Sequence, residues 1–540
     1  MINTLNGRYE SIVRSVAPRL LTSVCRNSTS KFYGCFDRNW WHYKIRDFPS
    51  LILQQGAYAV SLLDNEELTR LGVSRDERDR VVEGAVDFWA QRANLRGYAE
   101  EYYPFEDGYP PLAFATLAMA KIVFNGRKLV FTESVKTAFS ISARKLLSRF
   151  ESNVGNQQVA GLAALFYIKR LYPELIDDIS LATIMSRTLS LQHDEGWFFE
   201  YDGADLGYLS VTLECLYDIY DCSKSPQILN SIKKCVKFSS CLIRICDGHL
   251  SGLNSRNTDY ILPYGYLRGY FDGDRTVSEQ CAFVLTRLAL DDIFSSIDDR
   301  YWSHYIGHSL IRASNMINSK NFEERKFPQV ALAAKSMPGA GLIWIGMLGN
   351  FKVSLSAFKG GTLCISEHPG REFYDYGWVI GINKKKFTTY WFSRDFEFTK
   401  TKVGVTVKGM LYPETEFIAT PLNHTVLRAF SFFFGRKIVS LLKNKMIFRK
   451  SSRGATFTRK IELKNDCLVV RDLINLAKKD PGVITSYQRA SKFSTRHVAS
   501  AGSFCSIGSI QDWNPDLKVE AKKKHNQLRI VTELKLLPES

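Results

Sequence analysis

The segment DEGWFFEYDGADLGYLSVTLECL, residues 194–216, places carboxylates, glycines and aromatic side chains directly before apolar residues at helical spacing. Glycines allow tight turns, and the N-terminus of a helix favours nearby carboxylates. A second carboxylate across a cleft would complete the acid and base of an inverting glycoside hydrolase, which needs the two groups roughly 6.5–9.5 Å apart. Glu200 or Asp205 with Glu106 or Asp107 supplies candidate pairs.

A second loop, RNTDYILPYGY at 256–266, carries a cation among hydrogen-bonding residues. Arg256 can bind a substrate carboxylate through two parallel hydrogen bonds, or it can pair with one of the acidic loops. Asn257, Tyr260 and Tyr264 belong to the same loop. This loop is therefore a second candidate binding segment.

The elements that must position these residues are helical in the first part of the chain. Up to about residue 320, apolar residues recur every three or four positions, which predicts amphipathic or buried helices. Four of the predicted helices follow glycine-bearing loops, with spacings of about one helical hairpin between the first three; they start near 111, 157, 208 and 277. This weak repeat predicts an α/α toroid of helical hairpins, whose loops converge around one mouth.

After about residue 335 the pattern changes to short runs rich in Val, Ile, Phe and Thr, separated by Gly, Asn, Asp and Lys. These runs predict an antiparallel β-sandwich. We therefore expect an α/α-toroid domain over residues 1–330, with a lead-in at 1–50, and a basic β-sandwich domain over 331–540.

Residues 425–442, TVLRAFSFFFGRKIVSLL, contain basic residues among strongly apolar ones. The preferred interpretation is two buried strands around a Gly-Arg-Lys turn. The alternative is a segment that lies in a membrane interface.

The excess positive charge lies in one part of the chain. The net charge is +17, and residues 341–540 contain 33 Lys and Arg against 16 Asp and Glu, so residues 1–340 are balanced. Such a bias suggests an acidic polysaccharide, a membrane surface or nucleic acid as partner, or a solvated face that aids solubility. Nucleic acid is disfavoured because no aromatic RNA-binding signature accompanies the lysines.

Several classes of protein find no support in the sequence. The 11 cysteines include no CxxC pair, which favours reduced core thiols and a cytoplasmic location. We find no secretory signal and no apolar run long enough to span a bilayer. Phosphate-loop, GxSxG and HExxH motifs are absent, so no cofactor or metal is expected. The oligomeric state stays open.

The combination of a helical toroid with a basic sandwich is similar to the heparinase II/III-like polysaccharide lyases. The segment GNQQVAGLAAL at 155–165 resembles the family element in which Asn opens a toroid helix. DEGWFFEYDGADLGY at 194–208 resembles its Asp-Gly, aromatic, Glu and Tyr arrangement, with three extra residues between Glu and Tyr. The lead-in CFDRNWWHYKIRDFPSLILQQGA at 35–57 resembles members from bacterial surface-polysaccharide gene clusters.

The resemblance implies a β-eliminating lyase. Asn156 with Gln157 would contact the substrate carboxylate, and Tyr208 would exchange the proton. Glu200 would orient these groups or bind sugar hydroxyls. Of the aromatic residues, two would stack on sugar rings, namely Trp197 and Phe198.

Each of these residues also has a purely structural interpretation. Asn156 can cap a helix, Tyr208 can form part of a packed wall, and the carboxylates Glu200 and Asp205 can serve as turn and cap residues. Trp197 can belong to the core.

The histidines depart from the family pattern. Gln follows Asn156 where the family usually has a nearby His, and the start of the sandwich offers a single one, His368. His193, beside the acidic segment, is the candidate replacement. Three functions follow: a lyase acting on an acidic polysaccharide, a non-catalytic glycan-binding accessory of surface-polysaccharide biosynthesis, and an inverting glycoside hydrolase.

Overall fold

The computed structural model describes most of the chain. The described residues are 5–96, 99–126, 131–201, 203–245, 253–288, 294, 297–320, 322–323, 336–337, 339, 342–348, 351–367, 371–401, 404–414, 420–435, 437–438, 442, 455–464, 467–476, 482–490, 511–512, 516–524 and 526–535.

Helices dominate the first part of the chain. The α-helices of the described residues are α1 Leu5–Ser23, α2 Arg38–Trp41, α3 Gly56–Ser61, α4 Asn65–Arg70, α5 Arg75–Arg96, α6 Tyr109–Asn125, α7 Glu133–Leu147, α8 Gly155–Leu171, α9 Asp178–Leu189, α10 Leu206–Ser223, α11 Pro226–Ile245, α12 Tyr264–Asp272, α13 Arg275–Leu288, α14 Asp299–Trp302, α15 Tyr305–Lys320 and α16 Pro421–Phe434.

Six of these helices form a closed inner ring. Contacts run from α3 to α6, α8, α10, α12 and α15, and α15 returns to α3. Outer helices pack against them: α5 against α3, α9 against α8, α11 against α10, α13 against α12 and α1 against α15. The inner helices are apolar on most sides, as a doubly covered layer requires; every α10 residue from Leu206 to Ile219 is buried. The predicted α/α toroid is confirmed.

The two ends of the helical part meet where the ring closes. Arg19 of α1 forms an ion pair with Asp299, at the start of α14. Its Nη2 also donates to the backbone oxygen of Ile297 at 2.8 Å. These contacts join residues about 280 positions apart.

A set of buried charges that we call the axial cluster, Lys121, Glu214, Asp218 and Arg312, links three inner helices. Lys121 Nζ of α6 lies 2.7 Å from Asp218 Oδ2 of α10, and Arg312 Nη2 of α15 lies 2.8 Å from Asp218 Oδ1. Arg312 also lies 3.7 Å from Glu214. Opposite charges therefore meet inside the ring.

The second part of the chain consists of strands. The described strands are β1 Ser336–Met337, β2 Leu342–Leu348, β3 Phe351–Ser356, β4 Thr362–Glu367, β5 Arg371–Asp375, β6 Trp378–Ile382, β7 Lys385–Thr388, β8 Glu397–Thr401, β9 Gly404–Met410, β10 Tyr412–Glu414, β11 Ala455–Lys464, β12 Cys467–Leu476, β13 Ile484–Arg489, β14 Gln511–Asp512, β15 Asp516–Lys524 and β16 Gln527–Lys535.

These strands form three sheets around one apolar core. The orders are β1-β2-β3-β4-β5-β14, β10-β7-β6-β13 and β15-β16-β12-β11-β9-β8. All pairings are antiparallel except the short β5–β14 pair. Core residues come from all three sheets, for example Leu355, Ile380 and Ile461. The predicted antiparallel β-sandwich is confirmed, whereas the predicted division at residue 330 lies outside the described residues.

The prediction of two buried strands over residues 425–442 is wrong. Pro421–Phe434 forms helix α16, because Thr420 caps it by accepting from Asn423 N at 3.2 Å, and Pro421 suits the first helical turn. Of its residues only Ser431 is buried. Gly435, with φ +48°, follows the helix, and residues 439–441 lie outside the described part.

Two kinds of feature are missing from the described residues. None of their helices is long and apolar enough to cross a membrane. They also contain no group of His, Cys, Asp and Glu side chains arranged to hold a metal ion.

Candidate functional site

The candidate residues lie at one end of the toroid, which we call the toroid mouth. Inner helices alternate with outer ones along the chain, so the inner helices run in one direction and their N-termini share this end. The loops that precede them are joined by side chains: Ser255 Oγ donates to the Glu200 backbone oxygen at 2.7 Å. The hydroxyl of Tyr260, in the loop before α12, lies 2.8 Å from that of Tyr305 on the neighbouring inner helix α15.

Glu200 orients Asn156 at the start of α8. Its Oε1 accepts from the Asn156 backbone N–H and its Oε2 from the Asn156 side-chain amide, both at 2.7 Å. Both residues are buried. Burial raises the pKa of Glu200 well above its ordinary value, although the two hydrogen bonds from Asn156 oppose the shift. Glu200 thus takes the role of a cap, and the amide of Asn156 is held in one orientation.

Asp205 fastens the second candidate loop to α10. It is the N-cap of that helix, with Oδ1 accepting from Tyr208 N at 3.1 Å. Oδ1 also accepts from Thr258 Oγ1, and Oδ2 accepts from Arg256 N at 3.0 Å. Burial raises the pKa of Asp205. Asp205 therefore acts as a helix cap, as its structural interpretation predicts, and it also anchors the loop that contains Arg256 and Thr258.

Tyr208 stands on the first turn of α10 and is 9% exposed. Its ring lies edge-on to that of Tyr260, with centroids 6.4 Å apart. Tyr260 is fully buried, and burial raises its pKa well above the ordinary value. Tyr208 is the more exposed member of this pair.

Arg256 is a buried cation that stacks on an aromatic ring. Its guanidinium carbon lies 4.0 Å from the centroid of Tyr201, and Tyr201 has φ +52°, a strained value for a bulky residue. Among the described residues no carboxylate forms an ion pair with the Arg256 side chain, and its Nε has no hydrogen-bond partner there. Asp205 accepts from the backbone of Arg256, not from its guanidinium.

The sandwich contributes Lys359, which the sequence analysis missed. Its Nζ donates to the Asn254 backbone oxygen at 2.5 Å and to Asn257 Oδ1. The hydroxyl of Tyr390 donates to the same Asn257 oxygen. Burial lowers the pKa of Lys359 well below its ordinary value, although Asp205 opposes the shift. The sequence signal was weak: a lysine before two glycines, both with positive φ.

The predicted stacking of Trp197 and Phe198 on sugar rings is not supported, because both side chains are buried in the core. Trp197 stacks on His193, with centroids 4.6 Å apart, and its Nε1 donates to Glu195 Oε2 at 3.0 Å. Phe198 packs so closely on Gly155 that a Cβ there would lie 2.7 Å from it. The side chain of Phe198 thus packs against the first residue of α8.

Of the two predicted histidines, the structure describes His193. His193 stacks on Trp197, and its Nδ1 accepts from Glu195 N at 3.2 Å. His368 lies outside the described residues. Gln157 is partly buried, and its Oε1 has no hydrogen-bond partner among the described residues.

The structure adds one histidine at the toroid mouth. His304 immediately precedes α15 and is 4% exposed, and its Nε2 has no hydrogen-bond partner in the described part of the chain. Burial, and then the charge of Arg300, lower its pKa well below the ordinary value. No motif in the sequence pointed to His304.

The carboxylates proposed for hydrolysis differ in their surroundings. Glu106 Oε2 accepts from the backbone N–H groups of Glu101 and Tyr102, at 2.8 and 2.7 Å. Burial, and then the charge of Glu101, raise the pKa of Glu106 to about 8. Asp107 instead forms ion pairs with Lys145 and Arg149. These two cations hold Asp107 in a structural role.

No family model and no curated protein matches the sequence. Solved structures similar to it include a chondroitin AC lyase of Streptomyces coelicolor A3 in complex with chondroitin sulphate (TM-score 0.47, 8% identity, 97% of this chain and 77% of that chain). A heparinase III gives a TM-score of 0.44 at 10% identity, covering 97% of this chain and 82% of the other. An unsaturated glucuronyl hydrolase mutant from Streptococcus agalactiae gives 0.38 at 11% identity, covering 59% and 93%.

Proposed function

We propose that the chain binds an acidic polysaccharide at the toroid mouth and cleaves it by β-elimination. The observation that carries the proposal is the network in which Glu200 and Asp205 hold three candidate residues from separate segments, namely Asn156, Tyr208 and Arg256. The amide and the guanidinium can bind the carboxylate of a uronate substrate, and the phenol can transfer a proton.

In this reaction the proton alpha to the uronate carboxylate leaves its carbon, and the electron pair of that C–H bond forms a carbon–carbon double bond. The bond from C4 to the linking oxygen breaks, and that oxygen receives a proton. Tyr208 exchanges these protons as base and acid. Asn156 and Arg256 stabilise the negative charge that builds up on the carboxylate.

The charge of the second domain supports an acidic polymer as substrate. Lys359 reaches from the sandwich to Asn254 and Asn257, beside Arg256. The excess of Lys and Arg over Asp and Glu lies entirely within residues 341–540. A positive field of this kind attracts an anionic chain to the mouth.

A second candidate function is glycan binding without catalysis in surface-polysaccharide biosynthesis. It is favoured by the burial of Tyr208, the residue on which proton transfer depends, which is 9% exposed. A further point in its favour is that His193 is engaged with Trp197 and Glu195. In this role the same cations would bind the polymer without proton transfer.

The test is absorbance near 232 nm, where the unsaturated uronate product absorbs, after incubation with a panel of acidic polysaccharides. Tyr208→Phe should lower the rate at least about 100-fold, because it removes the proton-transfer group. Tyr220→Phe, at the other end of the same helix, is the matched control and should keep the wild-type rate.

The outcomes separate the two candidates. A rise that Tyr208→Phe leaves unchanged contradicts the role of Tyr208. No rise, together with polymer binding in calorimetry that weakens in Arg256→Ala, supports the non-catalytic function. Neither a rise nor binding contradicts both.

A further inference from the structure

Helix α16 carries an exposed apolar stripe. Its members lie four, four and three residues apart, which places them on one face of a helix. They are 47–76% exposed: Leu422, Val426, Phe430 and Phe433. Two more phenylalanines at the end of α16 are also more than half exposed. So concentrated an apolar surface on one short helix marks an interaction site.

The opposite face of α16 attaches it to the rim of the toroid mouth. Arg428 Nη2 donates to Asp47 Oδ1 at 3.1 Å, and the ring of Phe432 lies edge-on to Phe105 with centroids 5.2 Å apart. Phe105 directly precedes Glu106 in the loop that leads to α6. The attachment therefore points the apolar stripe away from the toroid.

The sequence around this helix is basic throughout. Between Glu416 and Ala455, where strand β11 begins, there is no Asp or Glu, while the same interval contains eight Lys and Arg residues. In the part of the chain that the structure describes, Lys437 is an exposed cation close to the end of the stripe, whereas Arg428 is paired with Asp47 on the attached face. An exposed apolar stripe within an acid-free basic interval is typical of a helix that lies in the interface of an anionic membrane.

We propose that α16 docks this protein on an anionic lipid surface, with the phenylalanines of the stripe in the headgroup region. The helix has 14 residues, and about 20 apolar residues are needed to span a bilayer, so it lies along the surface. A second copy of the chain fits less well, because a two-fold contact through α16 brings two basic intervals together. The proposal is independent of the reaction at the toroid mouth.

Co-sedimentation with lipid vesicles tests this proposal. The full chain is incubated with vesicles of phosphatidylglycerol and phosphatidylcholine, and with vesicles of phosphatidylcholine alone. We expect binding to the anionic vesicles that weakens as salt is raised. The double variant Leu422→Ser/Phe433→Ser should bind at least tenfold more weakly. Ile179→Ser, which replaces an 81% exposed residue on the outer helix α9, is the matched control and should bind like wild type.

Three results would overturn the proposal. The first is absence of binding to anionic vesicles. The second is equal binding by the double variant, which assigns the attraction to the basic sandwich alone. The third is a dimer in sedimentation equilibrium that the double variant abolishes, which assigns the stripe to a second copy of the chain.

Discussion

The axial cluster and the toroid mouth both bury titratable side chains, but they satisfy them differently. In the axial cluster, Asp218 touches both Lys121 and Arg312. At the mouth, Glu200 accepts from N–H groups and Lys359 donates to carbonyl oxygens. A buried charge that lacks an opposite partner costs free energy. Such costs are typical of functional sites, whereas paired charges hold helices together.

The carboxyl pKa values differ in the same way. Burial would raise the pKa of Asp218, but Arg312 and Lys121 lower it to about 2. At the mouth burial prevails, and the pKa values of Glu200, Asp205 and Glu106 are raised. Glu214 is intermediate: burial raises its pKa to about 7, although Arg312 opposes the shift. The comparison predicts that removing a carboxylate from the axial cluster lowers the free energy of unfolding, whereas removing one from the mouth changes how that free energy depends on pH.

The largest effect is expected from Asp218→Ala. It leaves Lys121 and Arg312 buried without their shared partner, so the free energy of unfolding should fall by about 3–5 kcal/mol in urea denaturation. Asp221→Ala, one turn further along α10, is the control: the Asp221 side chain is 36% exposed, and its partner Arg268 keeps Asp272 as a second partner, so the loss should be about 1 kcal/mol or less. Equal losses in both variants would remove the distinction between axial and surface ion pairs.

An intermediate effect concerns pH and Glu106. Because its folded pKa is raised to about 8, the folded state holds a proton that the unfolded state loses above its ordinary pKa. Its contribution to stability is therefore complete at low pH and is lost as pH rises from about 4.5 to about 8. Glu106→Gln should flatten this slope because glutamine does not titrate. Its amide oxygen can still accept from both backbone N–H groups, which in the wild type share the single oxygen Oε2.

The control for that measurement is Glu279→Gln, an exposed residue of α13, which should leave the slope unchanged. Urea denaturation at several pH values provides the readout. A wild-type slope retained in Glu106→Gln would show that other groups cause it.

The smallest effect is expected from Lys359→Met. It removes the donor to Asn254 O and Asn257 Oδ1 while keeping the volume, and should lower the free energy of unfolding by about 1–2 kcal/mol. Lys384→Met, in the exposed turn between β6 and β7, is the control. If Lys359 also attracts substrate, acidic-polysaccharide binding should weaken more than this loss of stability explains. Unchanged binding would give Lys359 a purely structural role.

Much of the architecture could be predicted because it depends on local periodicity. The apolar spacing in 207–220 is that of a helix covered on most sides, and the strand runs after 335 alternate as sheet residues do. Glycine occurs beside the helix starts for a physical reason, because neighbouring loops pack there too closely for a side chain. A Cβ at Gly207, for example, would lie 2.3 Å from Thr258 Oγ1.

Features set by distant contacts could not be predicted. Trp197 has the composition of a sugar platform, and only the packing of His193 and Phe199 around it places it in the core. Lys359 is one of many sandwich lysines, distinguished only by the toroid loop that it reaches. Residues 425–442 have strand-like composition, but the cap at Thr420 and the proline after it select a helix.

The closed ring also constrains the order in which the molecule can be completed. The inner ring needs α15, and α1 packs against it although the two lie about 280 residues apart. During synthesis the first helices must therefore wait for most of the toroid sequence before their last apolar faces are covered. Such non-local closure slows folding and exposes apolar surface in the meantime.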